Sequence, residues 1–184
     1  MLGAIAAKTD TIGLVTGVTC PSYRYHPAVV AQQAATLQLI SEGRFTLGVG
    51  AGERLNEHVI GTGFPAARQR HEALREALEI IRLLWEGGYR SYDGLHLQLE
   101  DARVFDLPEE LPPIAVAISG HASLELANEL GDGVFAVEPL GELLAGSPAT
   151  ARGTRRSRWR GRPTRSRRCR PCWRRRGSSS PAGR

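Results

Sequence analysis

The sequence has few cysteines and no long hydrophobic run. Three cysteines among 184 residues are too few for a disulfide framework, which favours a reducing compartment. No segment approaches the roughly 18 apolar residues that a membrane-spanning helix requires. The first residues are apolar but lack the basic region of a secretory signal. We therefore expect a cytoplasmic protein that has no membrane partner.

Acidic residues are absent from the end of the chain, and basic residues are scarce before it. Residues 1–151 hold 19 acidic and 10 basic side chains, whereas residues 152–184 hold 14 arginines and no acid. From Ala149 onward there is no Leu, Ile, Val or Phe, so this segment cannot bury enough apolar surface to fold alone. We predict one folded domain at 1–145 and a disordered, arginine-rich tail at 146–184.

The composition of the tail is consistent with two functions and with one origin that involves no function. Its arginines could attract nucleic-acid phosphates while Trp159 and Trp173 stack on bases. Cys169 and Cys172 have the spacing of a metal or redox pair, but without a second pair of ligands we assign no metal site. All eight residue types of the tail have GC-rich codons, so we prefer a shift of reading frame near Ala145. Nucleic-acid binding would then be weak and nonspecific.

The hydrophobic pattern before the tail predicts an α/β domain. Continuous apolar runs rich in β-branched residues are typical of strands buried on both faces of a parallel sheet. The strands are predicted at Ile12–Val18, Phe45–Val49, Ile114–Ile118 and Val134–Val137. Helices are predicted from Pro27 to near Gly43, from about Arg68 to Glu86, and around Leu124–Leu130, with a hairpin around an Asp-Gly turn at Tyr92–Glu100. The second helix is amphipathic, with Leu74, Leu78, Ile81 and Trp85 on its apolar face. This order implies right-handed crossovers and four parallel strands.

A glycine-rich segment follows the second predicted strand. Gly50 and Gly52 would let a ligand approach the backbone, because glycine carries no Cβ. Glu53, Asn56 and Glu57 come directly after them. Polar groups beyond the carboxyl end of a strand are where α/β barrels keep their chemistry, so Glu53 and Asn56 are the first candidates for a site. The alternative is a strand-to-helix turn with solvated acids.

Four motifs resemble those of the luciferase-like monooxygenase superfamily. Within it, the sequence is similar to deazaflavin-dependent oxidoreductases related to the glucose-6-phosphate dehydrogenases that use coenzyme F420. The motifs are Thr16–Pro21, Tyr23–Pro27, Leu47–Glu57 and Gly131–Gly133, and the resemblance covers Met1–Leu144. It implies a (β/α)₈ TIM barrel with the coenzyme at the carboxyl ends of the strands. Because four strands are half of such a barrel, we expect a fragment.

The resemblance also assigns roles to individual residues. It implies that Gly17 and Val18 form a non-prolyl cis peptide behind the deazaflavin ring. Cys20 occupies the position at which relatives have a threonine that contacts the ring. The alternative interpretation of Cys20 is a small buried thiol with no contact to a ligand. By the same resemblance, Asn56 contacts the polar edge of the ring, and Glu53 is the catalytic carboxylic acid beside the reacting carbon.

Two further expectations concern phosphate groups. The resemblance implies that Ala117, Ile118, Ser119 and Gly120 wrap the coenzyme's phosphate with backbone N–H groups at a helix start. Sugar-phosphate enzymes of the family hold the substrate phosphate with a lysine after Gly-Asp-Gly. Here Val137–Leu140 takes that place and argues against glucose 6-phosphate. The family's catalytic base, a histidine on an early strand, is expected before residue 1.

The sequence thus supports three hypotheses about function. The first is hydride transfer between coenzyme F420 and a small alcohol, carbonyl or alkene substrate, with weak or absent activity for the chain as written. The second keeps the fold but uses FMN, as a luciferase-like monooxygenase. The third is a non-enzymatic nucleic-acid binder that acts through the basic tail. For the first two we expect a small-molecule substrate, with a homodimer as a possible assembly.

Overall fold

The structure is a computed structural model that describes residues 1–61, 63–138 and 141. The predicted tail at 146–184, its cysteine pair, and Pro139 and Leu140 lie outside the described residues. The helices are α1 (Leu2–Ala6), α2 (Pro27–Ile40), α3 (Arg54–Glu57), α4 (Ala67–Trp85) and α5 (His121–Leu130), with a 3₁₀ turn at His58–Ile60. The strands are β1 (Leu14–Val15), β2 (Phe45–Val49), β3 (Arg90–Asp93), β4 (Gln98–Ala102), β5 (Ile114–Ala117) and β6 (Gly133–Phe135).

The main sheet contains four parallel strands in the order β1-β2-β5-β6. Leu14 pairs with Phe45, Leu47 with Ile114, and Ala115 with Gly133. Each pair of neighbouring strands is joined through a helix, as parallel pairing requires. The α/β class and the four parallel strands are therefore as predicted. All four strands point the same way, so their carboxyl ends meet at one edge of the sheet.

Strand β1 is shorter than the predicted Ile12–Val18. Beyond Val15, the backbone ladder is interrupted at Thr16, whose hydroxyl accepts from Gly48 N at 2.9 Å and donates to Gly48 O at 2.8 Å. Backbone pairing resumes at Thr19, which bridges to Val49. A Cβ on Gly48 would lie 1.9 Å from Thr16 O. The two strands approach this closely only because residue 48 is a glycine.

The core lies between the sheet and the helices. Leu74, Leu78, Ile81 and Trp85 of α4, predicted as its apolar face, are all buried. The Trp85 Nε1–H group donates to Ala31 O at 3.0 Å, which ties α4 to α2. In the described part of the chain, no helix combines the length and the apolar character needed to cross a membrane.

Carboxylates of α4 join this helix to the antiparallel hairpin of β3 and β4: Glu79 accepts from the Tyr92 hydroxyl at 2.6 Å, and Glu72 lies 3.2 Å from His96 Nε2. Glu76 accepts three backbone hydrogen bonds of 2.8–2.9 Å from Leu95, His96 and Leu97. These residues belong to a four-residue loop closed by a 3.0 Å bond from Gly94 N to Leu97 O. The hairpin was predicted, but its loop is longer than an Asp-Gly turn because the backbone opens to surround Glu76.

Arg44 forms a second polar connection, at the amino end of β2. Its side chain is buried, and its guanidinium makes five hydrogen bonds of 2.7–3.2 Å. The acceptors are Ser41 O, Thr9 Oγ1, Ile12 O, Ala6 O and Thr9 O. Arg44 therefore fixes the segment before β1 against the start of β2.

Candidate active site

A cleft of about 740 Å³ opens at the carboxyl ends of the parallel strands. Most of the residues that the sequence predicts for the site lie in its walls, although they come from three distant segments. Those residues are Gly17, Val18, Cys20, Glu53, Asn56, Ala117, Ile118 and Ser119. Gly120 follows directly as the N-cap residue of α5 and is not itself a lining residue.

The wall between β1 and β2 is apolar and tightly packed. The peptide bond between Gly17 and Val18 is cis, as the resemblance implies. A Cβ on Gly50 would lie 2.9 Å from Val18 Cγ2 and 3.3 Å from the Cβ of Ala117, and one on Gly17 would lie 3.2 Å from the Phe135 ring. These glycines let the side chains of Val18, Ala117 and Phe135 pack directly on the strand ends, so the wall is closed at this point.

The helix α3 brings the predicted polar residues to the cleft. Glu53 is its N-cap residue, but the side chain makes no capping hydrogen bond. Glu53 and Asn56 are both exposed and both line the cleft, so their side chains are available to a ligand. The structure thus brings these two candidates to one place, beside the cis peptide.

A third polar residue of α3, Glu57, is buried in the same wall. Only 4% of its surface is exposed, and its Oε2 atom has no hydrogen-bond partner among the described residues. Burial raises the pKa of this carboxyl group, whereas Arg24 and the Cys20 thiol act to lower it. The sequence places an acid at this position, but nothing in a four-residue helix indicates which of its polar residues points inward.

The loop between β5 and α5 carries the backbone N–H groups that the resemblance assigns to the coenzyme's phosphate. Ile118 N donates to Phe135 O at 2.9 Å, so it belongs to the sheet. Ser119 N and Gly120 N donate to the Ser123 hydroxyl at 3.0 and 3.2 Å. The assignment of these N–H groups to a phosphate stays a prediction. Ser123, a buried residue of the cleft wall that the sequence analysis missed, already occupies two of them.

Two arginines and a histidine line another part of the cleft. They are Arg24, Arg70 and His71. The Arg70 guanidinium stacks 4.1 Å from the centroid of the Phe64 ring and donates from Nη1 to Pro65 O at 2.7 Å, while its buried Nε has no partner among the residues that the structure describes. The sequence analysis treated α4 only as an amphipathic helix and missed this role. The cleft can therefore bind an anionic group.

No group of three or more potential metal ligands occurs among His, Cys, Asp and Glu residues within the described ranges. What the cleft offers is a set of proton-exchanging and cationic side chains around a glycine-rich wall. Its chemistry is suited to an organic ligand with a flat ring and an anionic group.

The parallel strands, the crossover helices and a site at the carboxyl ends of the strands define a TIM-barrel type of fold. The family model for luciferase-like monooxygenases matches residues 1–170. The chain belongs to this family.

Curated relatives include two dehydrogenases. The chain is 41% identical over 159 residues to the F420-dependent glucose-6-phosphate dehydrogenase of Beutenbergia cavernae, with 85% of the chain and 47% of that protein aligned. It is 45% identical over 135 residues to the F420-dependent hydroxymycolic acid dehydrogenase of Mycobacterium tuberculosis, with 73% of the chain and 38% of that protein aligned. The chain thus spans less than half the length of either relative.

A solved structure shows the same fold. It is an F420-dependent secondary alcohol dehydrogenase in complex with an F420-acetone adduct. The TM-score is 0.71 at 32% identity, over 73% of this chain and 41% of that one. The predicted fold class and the predicted family are confirmed. The division at residue 145 stays a prediction.

Proposed function

We propose that this chain binds coenzyme F420 and contributes to hydride transfer between the coenzyme and a small alcohol, carbonyl or alkene substrate. The observation that carries the proposal is the convergence of the residues assigned to the coenzyme on one cleft of the fold. Two relatives at 41% and 45% identity are F420-dependent, which supports the same cofactor here.

The walls of the cleft fit a flat heteroaromatic ring. Gly50 and Gly52 carry no side chain, and a Cβ at either position would lie within about 3 Å of neighbouring side chains. Glycine at these positions therefore lets Val18, Ala117, Cys20 and Glu57 close the wall on which we propose that the ring lies. Val18 supplies an apolar contact, and the exposed Asn56 amide can hydrogen-bond to the polar edge of the ring.

Anionic parts of the coenzyme would meet the cationic wall. Arg24, Arg70 and His71 line the same cleft. We propose that the two arginines attract the phosphate group by charge, since the N–H groups of Ser119 and Gly120 already donate to the Ser123 hydroxyl. To reach those two groups, a phosphate would have to displace the Ser123 hydroxyl.

The reaction requires hydride and proton transfer. The deazaflavin supplies the hydride chemistry when it is bound. Glu53 supplies a carboxyl group at the mouth of the cleft that can give or accept a proton. Val137, which is 91% exposed at the cleft, and the neighbouring Glu138 offer no cation for a substrate phosphate, so we propose a substrate without one.

Cofactor titrations test the proposal. We expect the purified chain to quench F420 fluorescence saturably and to bind FMN more weakly. Asn56→Ala should weaken F420 binding about fivefold, since it removes one hydrogen bond worth about 1 kcal/mol. Asn128→Ala, in α5 and away from the lining residues, is the matched control and should bind F420 as the wild type does. Preferential binding of FMN would support the monooxygenase alternative and overturn the F420 assignment.

A further inference from the structure

Two carboxyl groups reach the cleft from α3, and their environments are opposite. Glu53 is exposed, whereas Glu57 is 96% buried and its Oε2 lacks a hydrogen-bond partner in the described structure. Removing a carboxylate from water without a partner is costly, so buried carboxyls are usually protonated or paired. The Cys20 thiol acts on the carboxyl group, but Oε2 has no partner in the described structure, so burial favours the protonated form of Glu57.

Glu57 packs as part of the cleft wall. Gly52 has a φ of +79°, and a Cβ added there would lie 2.9 Å from Cys20 Sγ and 3.0 Å from Glu57 Cγ. The backbone of Gly52, the thiol of Cys20 and the side chain of Glu57 are thus in mutual contact. All three also line the cleft. A movement of the Glu57 carboxyl group would displace the other two.

The charged and titratable neighbours leave the carboxyl group without a close counter-charge. Arg24 and Cys20 face Glu57 from the segment between β1 and α2, but the Arg24 guanidinium lies over the Tyr25 ring, 5.7 Å from its centroid. Tyr23 on the same segment has its own pKa raised by burial and by Cys20. On α3 itself, Glu53 and Arg54 are exposed. An ionised Glu57 would draw Arg24 or water into the wall.

We propose that Glu57 is a proton-carrying positioning residue of the cleft. Its neutral carboxyl group holds Gly52 and Cys20 in the arrangement that accepts a flat heteroaromatic ring, and its ionisation disturbs that arrangement. A bound ring removes more water from the wall, which keeps the proton on Glu57 in the complex. The inference rests on the proposed function for the choice of coenzyme F420 as the probe.

The expected pH dependence follows from proton linkage. The binding-competent form carries the proton, so affinity is highest at low pH and falls as the pH rises through the pKa of Glu57 in the free chain. The fall approaches tenfold per pH unit for a single proton. Glu57→Gln keeps the shape of the neutral acid and cannot ionise. It should therefore retain at high pH the affinity that the wild type has only at low pH.

The experiment is a fluorescence titration of F420 between pH 4.5 and 8.5. The readout is the ratio of the wild-type Kd to the Kd of E57Q, in which ionisations of the coenzyme itself cancel. We expect a ratio near one at the lowest pH and a rise of up to tenfold per pH unit above the pKa. E57A should bind poorly at every pH, and the exposed-site control Glu109→Gln should follow the wild type. A ratio that stays constant with pH would overturn the proposal.

A second measurement separates this inference from the choice of cofactor. If the wild type binds neither F420 nor FMN, the proposed function fails, and NMR of the free chain decides the role of Glu57. The Glu57 carboxyl carbon should titrate above the ordinary range for glutamate, with the amide signals of Gly52 and Cys20 moving in step. Those amide changes should vanish in E57Q. An ordinary Glu57 titration, or amide signals that titrate unchanged in E57Q, would contradict the inference.

Discussion

The two ends of strand β2 each lie near a buried ionisable side chain, and the two side chains differ in their hydrogen bonding. At the amino end, Arg44 is buried and donates five hydrogen bonds to oxygen atoms of nearby segments of the same chain. At the carboxyl end, Glu57 is buried with an oxygen that has no partner in the described structure. In β/α barrels the amino ends of the strands serve stability and the carboxyl ends serve chemistry. The buried Arg44 at the amino end has its hydrogen bonding complete, whereas the buried Glu57 at the carboxyl end does not.

The largest effect is expected at the amino end. Arg44→Met should lower the free energy of unfolding by about 3–5 kcal/mol, because it leaves several buried carbonyl groups without a donor. Urea unfolding measures the change. The exposed Arg54, changed to Met in the same way, should cost less than about 0.5 kcal/mol. A loss at Arg44 no larger than at Arg54 would show that the five bonds contribute little, and the contrast between the two ends would disappear.

Sequence reasoning found the elements better than it found these two residues. Hydrophobic periodicity and local composition were enough to predict the four parallel strands, the position of Pro27 in the first turn of α2 and the apolar face of α4. These features depend on local pattern. The burial of Arg44 and of Glu57 depends on which segments meet in three dimensions, which no local pattern encodes. The same holds for Ser123, whose hydroxyl occupies the N–H groups assigned to a phosphate.

Motifs of adjacent residues located several residues of the cleft wall, whereas the roles assigned to them stay predictions. The cis bond at Gly17 and Val18 and the joint position of Glu53 and Asn56 followed from motifs of adjacent residues. Arg70 was missed because the amphipathic pattern of α4 does not show which of its polar residues lies in the cleft wall. The shortened β1 was missed as well, since the hydroxyl of Thr16 interrupts the backbone pairing.

An intermediate effect is expected at Glu76, which offers a comparison within one residue type. Like Glu57 it carries a carboxyl group on a helix, but Glu76 accepts three backbone N–H bonds. Glu76→Gln should lower the free energy of unfolding by about 1–2 kcal/mol, since an amide cannot accept all three bonds as strongly. Amide hydrogen exchange should quicken at Leu95–Leu97. The exposed Glu86 is the matched control, and an equal loss in E86Q would refute the assignment.

The smallest effect is expected for Glu57→Gln, which should raise the free energy of unfolding, whereas the substitutions at Arg44 and Glu76 should lower it. Burial raises the pKa of Glu57 in the folded chain above the ordinary value of 4.5, so between these two values the folded state binds more protons than the unfolded state. Wild-type stability therefore falls relative to E57Q as the pH rises through this window, and the difference is level above it. Urea unfolding of both proteins from pH 4 to 8 measures this difference. E57Q should match the wild type at pH 4 and exceed it at pH 8, whereas a loss of stability like that of E76Q would mean that Glu57 is an ordinary paired carboxylate.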